Sequence, residues 1–115
     1  MTAMDDALVK LTYANKANLE VVDGVSAEIR KVEKALKDCP VLIDFQMNAG
    51  AGDMEWNATS KRLFYIASGE PRRPVIDLPA ATRIALWKDC LLPFLSGLTE
   101  HIKRETKKLI ELRDR

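Results

Sequence analysis

Histidine occurs once in this chain, at His101, and cysteine twice, at Cys39 and Cys90, with no CxxC spacing and the histidine far from both thiols. A zinc site draws about four such ligands from short spacings, so no metal site is expected. The glycine-rich stretch Asn48 to Asp53 lacks the lysine of a phosphate-binding loop. No run approaches the ~18 apolar residues that a membrane helix needs. The opening MTAMDDALVK has neither the basic start nor the apolar core of a signal peptide. A cytoplasmic location with reduced thiols is therefore expected, and the Asn57-Ala58-Thr59 sequon carries no meaning there. Charge of one sign is also missing: a formal net charge of +1 gives no global attraction to nucleic acid or anionic lipid. Neither a cofactor nor a catalytic residue set is expected.

What is present is amphipathic pattern. With 115 residues, 47% apolar and 30% charged, the chain fits one α+β domain over 1–115, large enough for a core and too small for two. From Ala3 to Cys39 the residues Leu8, Leu11, Asn15, Asn18, Val22, Val25, Ile29, Val32, Leu36 and Cys39 fall alternately three and four apart. That is the seam of a coiled coil or a long helical hairpin. Gly24 could divide the segment, with Ser26 capping a second helix, but Val22, Val25 and Ile29 stay in phase across it. One helix is expected, stopped by Pro40.

Val41 to Met47 alternates apolar and polar residues as a half-buried strand does. Met54 to Ala58 and Arg62 to Ala67 flank Thr59-Ser60-Lys61 as a hairpin, and Val75 to Asp77 could add a short fourth strand, giving a three- to four-stranded antiparallel meander. Pro79 presets a short helix over Ala80 to Asp89. A long last helix, Leu92 to Arg113, carries Leu91, Leu95, Leu98, Ile102, Leu109 and Leu112 at heptad spacing, with Glu105 as the polar exception.

The two heptad stripes can pack antiparallel with paired residue numbers summing to 120, as Leu8 with Leu112 and Leu11 with Leu109. That register sets Asn15 against Glu105, where a buried amide is better satisfied than against leucine, although Asn18 then faces Ile102. The first helix would span roughly 50 Å, against a diameter of about 35 Å for a compact domain of this size. Part of it should overhang, and a second copy or the last helix must cover its seam. A homodimer meeting at Leu8, Leu11, Asn15 and Asn18 is the expectation.

Other features are weaker. Phe45, Met47, Met54, Trp56 and Trp87 could line an apolar pocket between sheet and second helix, although such residues also fill any core. Asp44, Glu55, Asp77 and His101 are the acid-base residues nearest the sheet, and Asp44 and Glu55 could face each other across adjacent strands. Lys61-Arg62 and Arg72-Arg73 sit at opposite ends of one strand, about 20 Å apart. Lys103, Arg104, Lys107 and Lys108 interleave with Glu100, Glu105 and Glu111 as a solvated face does. Nucleic acid is not expected as a partner, and neither is a membrane.

The pattern as a whole points to a non-enzymatic interaction or assembly module that self-associates, or captures a protein partner's helix, through heptad-patterned helices, with the sheet as a second surface. The alternatives are a small-molecule binding protein and a weak nucleic-acid binder. Val22, Val25, Ile29, Val41, Ile43, Phe45, Trp56, Phe64, Ile84, Leu95 and Leu98 are the expected core. Val25→Asp should abolish cooperative unfolding, since an unpaired charge in a core is disfavoured by several kcal/mol. A variant melting at the parent's temperature would show the helix phase to be wrong.

Overall fold

The first helix starts on a reciprocal cap. The Thr2 hydroxyl accepts from the Asp5 N–H, and the Asp5 carboxylate accepts from the Thr2 N–H, so two otherwise orphaned donors are satisfied. From there α1 runs unbroken through Ala3–Asp38, straight across Gly24. In the computed structural model, which describes residues 2–115, it is followed by β1 (Phe45–Ala49), β2 (Gly52–Asn57), β3 (Arg62–Ala67) and β4 (Arg73–Pro74). A 3-10 turn (Val75–Asp77), α2 (Ala80–Asp89) and α3 (Leu91–Arg113) complete the chain. The fold is mixed α+β, in the expected order of elements.

The strands form one antiparallel sheet in the order β1-β2-β3-β4. Its first hairpin turns on only Gly50 and Ala51, because Gly50 takes φ +67°, which a two-residue turn requires and glycine adopts without strain. The strands consequently reach further into the glycine-rich stretch than the sequence suggests, and β1 begins later, at Phe45. Val41 to Asp44 is instead held by its contacts: the Val41 carbonyl accepts from the Trp56 indole N–H at 3.1 Å, and the Asp44 carboxylate accepts from the Ala58 N–H at 2.7 Å. The expected fourth strand is displaced. Arg73 and Pro74 make the pairing with β3, and Val75 to Asp77 close into the 3-10 turn.

Register decides which residues are inside. Trp56 lies opposite Leu63 and Met54 opposite Tyr65, so Phe45, Met47, Met54, Trp56, Leu63 and Tyr65 share the face that the helices cover. Phe64 therefore points away from the core, where it was expected, and the Arg72 guanidinium lies 4.7 Å from its ring centre. From α1 the core takes Val25 and Ile29; from the later elements it takes Val75, Leu78, Leu86, Leu91, Phe94 and Leu98. Arg83 of α2 donates to the Ile76 carbonyl at 2.9 Å, tying that helix to the 3-10 turn.

The outline is long: 81 × 31 × 21 Å, with a radius of gyration of 19.2 Å, against about 13 Å for a compact domain of similar length. The expected overhang is present, since every residue from Ala3 to Val21 is exposed. The antiparallel register in which residue numbers sum to 120 is not formed within one chain. Leu8 and Leu11 are 52% and 63% exposed, and Leu109 and Leu112 are 64% and 58% exposed. Near the body, Glu28 and Val32 of α1 border the same hollow as Leu91 and Leu95 of α3. On the inner face of β1, Phe45 meets Phe94 and His101 of α3.

One buried charge joins the first helix to the sheet. The Glu33 carboxylate accepts from the Leu63 backbone N–H at 3.3 Å, beside the place where β4 ends and leaves β3 without a neighbour. Glu33→Ala would strand that N–H and should cost about 1–3 kcal/mol in denaturant unfolding. Glu33→Gln retains an acceptor and should cost less. Equal losses for the two would show that the bond does not hold the edge.

Candidate self-association surface

On the last four turns of α1, Val25, Ile29, Val32 and Leu36 meet the body. The same phase continues toward the N-terminus through Val22, Asn18, Asn15, Leu11, Leu8 and Met4, and beyond Val22 none of the described residues covers it. Ala7 and Ala14 lie beside this line and Leu19 and Val21 at its margins, so the exposed stripe is broad and smooth apart from the two asparagines. Thr12 turns its hydroxyl back to the Leu8 carbonyl at 2.9 Å. The expected interface residues Leu8, Leu11, Asn15 and Asn18 thus stand together on one free face.

The C-terminal helix repeats the arrangement. Leu91, Phe94, Leu98 and Ile102 pack on the body, and the line continues as Glu105, Leu109 and Leu112 along a tail that is exposed from Thr106 onward. Glu105 is held by Lys108 at 3.1 Å. Complete burial of a leucine contributes about 1.5–3 kcal/mol, so covering Leu8, Leu11, Leu109 and Leu112 would recover on the order of 1 kcal/mol for each.

The residues expected to line a pocket are divided. Met54 and Trp56 are fully buried in the core, and Phe45 and Met47 pack on α3 at Gly97, where an added Cβ would come within 3.1 Å of the Met47 sulfur and the Phe45 ring. Trp87 stands apart, 41% exposed, in a shallow hollow with Glu28, Val32, Leu91 and Leu95.

The acid-base residues are likewise not gathered. Glu55 lies opposite Gln46 rather than Asp44 and pairs with Arg72 at 3.0 Å on the outer face. His101 stacks on Phe45 at the inner face, 5.2 Å between ring centres. Among the described residues no three His, Cys, Asp or Glu side chains group as a metal set would, and no helix is long and apolar enough to cross a membrane.

Sequence reasoning missed one charged feature. Arg30, Lys34 and Lys37 of α1 and Arg62 of β3 surround a hollow bordered by Glu33. Spacing along α1 shows the first three, but only the packing of β3 against the helix adds Arg62. Lys34 pairs with Asp38, and the Glu33 carboxylate accepts from the Leu63 N–H.

Comparison of the chain with protein-family models, with curated proteins and with solved structures yields no match in any of the three.

The two tryptophans report this arrangement separately. Iodide should quench the emission of Trp87 and leave that of Trp56 protected, so Trp87→Phe should remove most of the quenchable fluorescence. Strong quenching in that variant would place Trp56 at a solvent-filled pocket.

Proposed function

We propose that the protein is a non-enzymatic assembly module that associates with a second copy of itself through the overhanging stripe of α1. The observation that carries this reading is continuity: one helical face serves as core from Val25 to Leu36 and runs on, in phase and uncovered, from Val22 to Met4. Uncovered apolar stripes of this length mark interfaces, since water is a poor neighbour for them. A helix of polar residues would serve equally well if the overhang were only a spacer, yet this one keeps its heptad leucines.

Asn15 and Asn18 interrupt the stripe at adjacent seam positions. A polar seam residue lowers stability and excludes pairings that leave it unsatisfied. Asn15→Leu should therefore raise the melting temperature and broaden the distribution of assembly states seen by sedimentation over a concentration series. An asparagine that simply faces water would change stability by no more than about 0.5 kcal/mol and leave assembly unaltered. A parent chain that sediments as a monomer at every concentration would overturn the proposal.

A further inference from the structure

We infer that the hollow between α1 and the start of β3 is a binding site for a compact oligophosphate, a chain of two or three phosphoryl groups either free or carried by a nucleotide. The site is independent of self-association, since none of its residues lies on the uncovered stripe of α1.

Four cations line this hollow of about 360 Å³. Arg30, Lys34 and Lys37 stand four and three residues apart and so share one face of α1, and Arg62 joins them from the first residue of β3. Among the described residues, Arg30, Lys37 and Arg62 have no ion-pair partner, and Lys34 alone is engaged, by Asp38. The one carboxylate in the lining, Glu33, is bonded to the Leu63 N–H. Four cations against Glu33 and Asp38 leave a local formal charge of +2, where the whole chain carries only +1. Arg62 is half-buried, and an unpaired guanidinium there gains more from an anion than one in open water, because its surroundings screen it less.

The donors select the ligand. A guanidinium offers a planar fork that matches phosphoryl oxygens, and lysine adds a mobile point charge. From Arg30 to Lys37 the cations cover roughly 10 Å of helix axis, a longer reach than one phosphoryl group fills. The row is closed at both ends: on the same face Asp23 precedes Arg30 by two turns, and Asp38 follows Lys37. A nucleic-acid strand needs cations that track its backbone and aromatic platforms for its bases. This lining contains no aromatic residue, and Ile76 is its only apolar one. The hollow therefore holds phosphoryl groups and leaves whatever they are attached to in water.

Calorimetric titration of inorganic tripolyphosphate into the full-length chain, in about 0.15 M salt and without divalent metal, tests the site. One molecule should bind per chain, and adenosine triphosphate should bind about as tightly, because the lining offers nothing to its base. Arg30→Gln and Arg62→Gln should each raise the dissociation constant about tenfold or more, the scale of one charge-assisted hydrogen bond. Arg30 is exposed, so its variant should keep the parent's circular dichroism even if Arg62→Gln does not. Lys31→Gln removes the same charge from an exposed position of α1 outside the hollow and should change the constant less than about twofold. Glu33→Gln keeps an acceptor for the Leu63 N–H while removing the one carboxylate in the lining, and should tighten binding. Absence of tripolyphosphate binding, or equal weakening by Lys31→Gln and Arg30→Gln, would overturn the site. Preference for a single-stranded oligonucleotide over tripolyphosphate would overturn it in favour of an extended nucleic-acid surface.

Discussion

A straight helix cannot be buried over a distance greater than the body beside it, and this mismatch governs the molecule. The 36 residues of α1 extend about 54 Å, while the molecule measures only 31 and 21 Å along its two shorter axes. The body can solvate or cover only what lies next to it. It covers the C-terminal half, where Val25 and Ile29 enter the core and Glu33 completes the sheet edge. From Ala3 to Val21 the helix is left with an exposed apolar face.

The sheet shows how much of such a molecule can be read from its sequence. Long periods survive: α1, β3 and α2 begin and end within a residue of expectation because caps, prolines and alternation agree. Short-range phase is less secure. Leu63 and Phe64 are adjacent and both apolar, and only the pairing of Trp56 with Leu63 reveals which faces the core. The fourth strand is displaced as well: Val75 to Asp77 has the composition of a strand but closes into a 3-10 turn, and Arg73 and Pro74 make the pairing with β3.

The candidate surface was legible in a different way. Leu8, Leu11, Asn15 and Asn18 are recognisable from heptad spacing alone, yet spacing cannot say whether a seam is covered by its own chain. That depends on how α2 and α3 pack against α1 and the sheet, a long-range matter with no local signature. The clustering of Arg62 with Arg30, Lys34 and Lys37 has the same origin.

Gly24 sits where α1 passes from free to covered, and its surroundings are open enough that a Cβ would touch nothing. Helix formation is slow to start and easy to extend, and here the body supplies the start: the turns from Val25 onward are held by the core, so the overhang is an extension of a helix already nucleated. Glycine weakens that extension at its root by about 1 kcal/mol relative to alanine, while the Thr2–Asp5 cap secures the far end. The overhang is thus a helix pinned at both extremities and softest at its junction, able to unwind there as a unit while the body stays folded. Backbone amides before Gly24 should accordingly exchange faster than those after it in any chain whose stripe is uncovered.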